Sequence, residues 1–103
     1  MPYYILAHYT IKDVQTFQSY PPAAVPTILQ YGGKILVAAG PGMQEPAPGE
    51  GTPPHTTTVI LEFESRPAFE RWYTSPEYQA VIGLRTSSTE GWSQGLPGFE
   101  PPA

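Results

Sequence analysis

Two histidines, seven tyrosines and five cations are the side chains of this 103-residue sequence best able to move protons or hold an oxyanion. His8 lies in the opening run Tyr3 to Ile11, and an imidazole, which titrates at about 6.5 when unperturbed, exchanges protons in both directions near neutrality. The same ring could equally be hydrogen-bonded in an interface and chemically idle. His55, between Pro54 and Thr56, reads as a solvated loop residue or as part of a lid. Tyr20 and Tyr31 border the first helical region. Each phenol either donates a hydrogen bond to a substrate carbonyl or packs as an aromatic wedge with its hydroxyl in water. Lys34 and Arg85 each suit a carboxylate or enolate oxygen, although Arg85 has an alternative role as the ion-pair partner of Glu62, Glu64 or Glu70. Glu62 is a candidate general base, with His8 as acid, if it points into an apolar cleft, and an ordinary solvated carboxylate if it sits at a rim. The catalytic candidates are therefore His8, Tyr20, Glu62 and Arg85. Tyr4, Leu6, Tyr31, Lys34, Leu36, Ile60 and Trp72 are the candidate lining, Trp72 with a packing role shared by Tyr73 and Tyr78.

Composition removes other chemistries. The chain has no cysteine, which excludes disulfides, thiolate metal sites, iron–sulfur clusters and Cys nucleophiles. Two distant histidines without a third strong ligand argue against a zinc or iron site, and no metal or cofactor is expected. A net charge of -4 works against nucleic-acid binding, which depends on Lys and Arg neutralising phosphates. No apolar run approaches the roughly 20 residues that span a bilayer, and the amino terminus carries no basic leader, so a cytoplasmic protein is expected. Glycine-rich nucleotide loops and the Gly-x-Ser-x-Gly elbow do not occur.

The elements that must position these groups follow from pattern. Tyr3–Ile11 is rich in β-branched and aromatic residues and predicts a strand with Tyr3, Ile5, Ala7, Tyr9 and Ile11 on one face and Tyr4, Leu6, His8 and Thr10 on the other. Asp13 caps a helix over 14–20, which Pro21-Pro22 should break at Tyr20 before it resumes over 22–30 and stops at Gly32-Gly33. A strand over 34–39 leads into a proline- and glycine-rich loop, 40–55, that is either disordered or a lid. The strand 56–64 places Thr57, Val59, Leu61 and Phe63 on an apolar face, with Thr58, Ile60, Glu62 and Glu64 opposite. Ser65 and then Ser75 cap a stepped helix running to Arg85. The remainder after Arg85 predicts only a short edge strand about Trp92. The domain should occupy 1–96, with a proline-rich tail over 97–103.

The order strand, helix, strand, strand, helix, strand is the α+β, ferredoxin-like βαββαβ arrangement: an antiparallel sheet with both helices on one face. The other face, with Tyr4, Leu6, Leu36 and Ile60, is too apolar for water, since a patch on the order of several hundred Å2 usually marks an interface. A second copy is the expected cover, with a cleft enclosed beneath the sheet.

The opening ILAHYTIKD, the Tyr20 segment, YGGK at 31–34, VILEF at 59–63 and the WY-x-SPEYQA run from Trp72 to Ala80, followed by Leu84-Arg85, resemble the family known as domain of unknown function 1330. That resemblance covers roughly residues 2–90 and implies the dimeric α/β-barrel superfamily. Its cofactor-free members share a cleft in which a His, often with a Tyr, moves protons on a hydrophobic substrate, and the position of His8 is similar to that of their first-strand histidine. The longer central loop and the weak last strand depart from the pattern. The expectation is a homodimeric, cofactor-independent acid–base enzyme, an isomerase, lyase or cyclase, acting on a small apolar carbonyl or polyketide-like compound. The alternatives are a non-catalytic small-molecule binding module and a cofactor-free monooxygenase of a phenolic substrate.

Overall fold

The computed structural model describes residues 1–102, and Ala103, the end of the expected tail, lies outside them. Nine elements follow in the order β1 (Tyr3–Ile11), α1 (Val14–Phe17), α2 (Tyr20–Gln30), β2 (Lys34–Ala39), β3 (Thr57–Phe63), α3 (Arg66–Tyr73), α4 (Pro76–Gln79), α5 (Ile82–Thr86) and β4 (Thr89–Pro97). The sheet runs β2-β3-β1-β4 and every pairing is antiparallel. With the helices on one face, this is the expected α+β, ferredoxin-like fold.

The helix starts are set by short polar side chains. Asp13 accepts from the Thr16 N–H, Ser65 from that of Ala68 and Ser75 from that of Tyr78, each capping an otherwise unpartnered donor. One boundary differs from the sequence expectation: Tyr20 opens α2 rather than ending the helix before it. Prolines are tolerated in a first turn, where their missing N–H has no partner to lose, so Pro21 and Pro22 fit within the first turn that Tyr20 opens and the break falls at Gln18-Ser19.

The core lies between the sheet and the helices, where Ile5, Leu61 and Phe63 meet Ala24, Ile28, Ala68, Trp72 and Tyr78. Two strands depart from simple alternation. A bulge in β2 between Ile35 and Val37 places Val37, rather than Leu36, opposite Ile60, because the additional residue shifts the side-chain phase by one. Strand β4 is nine residues long and pairs with the whole of β1. It reads weakly because its helix-side positions are small. A Cβ at Gly95 would collide with the Tyr3 phenol, and one at Gly91 would strike the His8 carbonyl and Tyr9. Pro97, assigned to the tail by composition, is the last residue of β4. No helix among the described residues is long and apolar enough to cross a membrane.

Candidate functional site: a cavity on the helix side of the sheet

The main cavity, about 450 Å3, lies between the sheet and the helices. That volume falls within the range of small-molecule sites, roughly 300–1,000 Å3. Its floor is the helix-side row of β1 and β3, from Ile5, Ala7 and Tyr9 to Thr57, Val59 and Leu61. Its walls come from Phe17, Tyr20, Ala24 and Ile28 on one side and Phe69, Trp72, Tyr73, Tyr78 and Arg85 on the other. Small residues at Ala7, Ala24, Ala38 and Gly40 leave room that larger side chains would fill. Trp72 is held in the wall by a hydrogen bond from its Nε1 to Thr27 Oγ1 at 3.0 Å, and Thr27 in turn donates to the Ala24 carbonyl at 2.7 Å.

Polar groups gather at one end. The Tyr20 and Tyr78 hydroxyls are 2.7 Å apart, and the Arg85 guanidinium faces both. Burial pushes the Tyr20 phenol well above its ordinary value, reinforced by Tyr78 and partly opposed by Arg85, so Tyr20 is a neutral hydrogen-bond donor. Tyr9 is raised as well, chiefly by burial, with Arg85 acting against it. Burial disfavours the charge on Arg85 itself, but the Tyr78 and Tyr20 oxygens outweigh it and the guanidinium is held more firmly protonated. Thr57, the cross-strand partner of Tyr9, is 6% exposed, and its Oγ1 is a buried polar atom without a hydrogen-bond partner. Leaving a buried hydroxyl unpaired costs about 1–3 kcal/mol.

The ion pairs are elsewhere. Lys12 pairs with Glu90, Lys34 with Glu62 at 3.9 Å and Arg66 with Glu70. Arg85 therefore has none of the carboxylate partners that the sequence allowed. Among the described residues, the cavity lining holds this one cation and no carboxylate or imidazole. A partly desolvated guanidinium with no carboxylate partner among the described residues, beside the Tyr20 and Tyr78 hydroxyls, is suited to receive an anionic oxygen in an apolar enclosure.

Of the residues singled out from sequence, Tyr20, Arg85 and Trp72 come together in this cavity. The others do not line it. Tyr4, Leu6, His8, Ile60 and Glu62 point to the opposite sheet face, because alternation along β1 and β3 sends them there. Lys34 and Leu36 belong to the largely exposed edge strand β2, and Tyr31 closes the C-terminus of α2, where it donates to Glu77 at 2.8 Å. Tyr4 donates to Glu62 at 3.0 Å on the open face, and that carboxylate raises the phenol. The cleft was expected on the open face around His8; the cavity is on the other side of the same strand.

His8 is buried even so, at 6% exposure. The His55 backbone N–H donates to its Nε2 at 3.1 Å, which leaves the ring proton on Nδ1, 3.1 Å from Thr58 Oγ1. Thr58 donates to Gln44 Oε1, Gln44 Nε2 donates to the His55 carbonyl at 2.9 Å, and His55 Nδ1 lies 2.9 Å from Thr10 Oγ1. This ring of bonds ties both ends of the 40–55 loop to the open face. No group of three or more His, Cys, Asp or Glu able to hold a metal occurs among the described residues.

Sequence reading missed Thr57, Tyr78 and Tyr9 as members of the site. The available signal was a hydroxyl or a charge at a position whose neighbours are all core: Thr57 on the apolar face of β3, and Arg85 in the stripe of Tyr78, Val81 and Ile82.

Comparison with solved structures gives the fold a wide setting. A protein of unknown function from Rhodopseudomonas palustris, RPA0582, superposes with a TM-score of 0.74 at 17% identity, over 97% of this chain and 84% of its own. SnoaB from Streptomyces nogalater, a cofactor-independent oxygenase, superposes with a TM-score of 0.64 at 9% identity, over 97% of this chain and 95% of its own. A dimeric protein of unknown function and ferredoxin-like fold from Bacteroides fragilis gives 0.58 at 14% identity, over 92% of each chain. At these identities the likeness is one of fold. No curated protein matches the chain by sequence. The profile of the domain of unknown function DUF1330 matches residues 2–96, and the chain belongs to that family.

Proposed function

We propose that this protein is a cofactor-independent enzyme that binds a small, largely apolar carbonyl or phenolic compound in the helix-side cavity and acts on it through its enolate or phenolate. The observation that carries this reading is Arg85: a cation facing an apolar cavity, beside the Tyr20 and Tyr78 hydroxyls and without a carboxylate partner among the described residues. Arg85, Tyr20 and Tyr78 supply the charge and hydrogen bonds that stabilise a developing oxyanion, and the carbon- or oxygen-bound proton leaves to water. Isomerisation, elimination and aldol-type cyclisation next to a carbonyl can each proceed through such an anion. His8 is assigned to holding the 40–55 loop, since Ala7, Tyr9 and the β1 backbone separate it from the cavity. A second copy covers the open face, where Val37, Trp92 and Leu96 are exposed. The dimeric ferredoxin-like relative from Bacteroides fragilis supports that assembly. Sedimentation at the mass of a single chain would contradict it.

The test uses two probes. 4-Nitro-1-naphthol reports its own ionisation by absorbance, and 2-tetralone reports enolisation by exchange of its α-hydrogens in deuterated water. The protein should bind the naphthol as its anion at a pH below that of free ionisation and accelerate the exchange. Arg85→Met should remove the ionisation shift and lower exchange by about 100- to 1,000-fold, the usual cost of losing one oxyanion donor. Binding of the un-ionised naphthol, or an Arg85→Met protein indistinguishable from the parent, would overturn the proposal. An oxygenase is favoured as a second reading by the shared fold of SnoaB, and uptake of dissolved oxygen with the naphthol separates it from the first.

A further inference from the structure

Thr57 carries the buried, unpartnered polar atom of the cavity that the oxyanion reading leaves unused. It occupies a position on the apolar face of β3 where Val59, Leu61 and Phe63 follow at alternate residues. A valine would fill the same volume, suit the strand equally well and bury no hydroxyl. Instead Oγ1 is buried without a partner, while other buried hydroxyls are satisfied within the protein: Thr27 donates to the Ala24 carbonyl, Ser75 to that of Trp72 and Ser88 to that of Leu84. Buried polar groups are ordinarily paired, so an unpaired one on the wall of a cavity is suited to pair with what enters it. Its placement narrows that partner. Thr57 lies directly across from Tyr9 in the sheet, and Tyr9 is within the electrostatic reach of Arg85. The orphan hydroxyl and the Arg85 guanidinium therefore line the same cavity, on two different elements.

We infer that the ligand presents two oxygens to this cavity: an anionic oxygen to Arg85 and the Tyr20–Tyr78 pair, and a second oxygen that accepts a hydrogen bond from Thr57 Oγ1. The class of molecule is a planar anion whose charge is spread over two oxygens at the edge of an apolar body. A β-dicarbonyl enolate, an ortho-acyl phenolate and a carboxylate share this chemistry. The inference rests on the oxyanion reading of Arg85 and assigns Thr57 as the residue that selects two-oxygen ligands over one-oxygen ligands.

The experiment measures dissociation constants by fluorescence for three probes, 1-naphthol, 2-acetyl-1-naphthol and 2-naphthoate, against the unmodified protein and the Thr57→Val, Thr57→Ser and Arg85→Met variants. Thr57→Val keeps the side-chain shape, and its melting curve verifies the fold. It should weaken at least one of the two-oxygen probes by about 5- to 10-fold, the effect of one hydrogen bond, while 1-naphthol is unchanged. Thr57→Ser should restore the preference. Loss confined to 2-acetyl-1-naphthol identifies the dicarbonyl or acyl-phenol source, and loss confined to 2-naphthoate identifies the carboxylate. If Thr57→Val weakens neither while Arg85→Met weakens all three, the role of Thr57 is wrong and the oxyanion site stands. If Arg85→Met leaves all three unchanged, the reading beneath it fails too.

Discussion

Arg85, Tyr20 and Thr57 show how a residue's environment decides its chemistry. The sequence shows an arginine next to an apolar helical stripe and several glutamates that could pair with it. It does not show that Glu62 and Glu70 are already engaged by Lys34 and Arg66, which leaves Arg85 to the cavity. Tyr20 was legible as a candidate because a phenol beside a helix break stands out. Its neutrality depends on burial and on Tyr78, 58 residues away. That burial has a measurable consequence at alkaline pH. Tyr9 and Tyr20 keep their protons to a higher pH in the folded chain than in the unfolded chain, where a tyrosine titrates near 10. Their contribution to stability is thus fully present below pH ~10 and is lost as the pH rises through that value toward the folded one. Thermal unfolding followed from pH 8 to 11 should show a falling melting temperature, and Tyr20→Phe should make the decline shallower. An identical slope in the variant would show that Tyr20 is not buried as described.

At the scale of elements, the caps were the clearest text. Asp13, Ser65 and Ser75 each precede a helix and each accepts the hydrogen bond its position predicts, because this interaction spans three residues and needs no tertiary partner. What required distant partners was illegible. The bulge in β2 depends on pairing with β3, and the length of β4 depends on Tyr3 and Tyr9 lying over Gly95 and Gly91. The 40–55 loop, read as disordered or a lid, is fastened by the His8–His55–Thr58–Gln44 bonds. Removal of the imidazole should therefore act on the loop. His8→Ala should raise the rate of cleavage at Glu45 and Glu50 by a glutamyl endopeptidase by about 5- to 30-fold, the equilibrium effect of one to two kcal/mol. Binding in the helix-side cavity should stay within about 2-fold. Unchanged cleavage together with lost binding would return His8 to the site.

For the whole molecule, the two faces of one small sheet divide the work. The helix face holds the core and the cavity, whereas the open face holds the fastened loop and the exposed Val37, Trp92 and Leu96. The fold was readable because element order and alternation are written locally. The choice of face for the cavity was not, since it depends on where Ala7, Ala24 and Ala38 fail to fill the space between layers, a sum over distant positions. The most direct measurement is a chemical-shift titration of the isotope-labelled protein with 2-naphthoate. Saturable shifts should concentrate at Ala7, Ala24, Thr57 and the Arg85 side chain, and Arg85→Met should abolish them. Shifts concentrated instead at His8, Val37 and Ile60 would place the ligand on the open face and contradict the helix-side site.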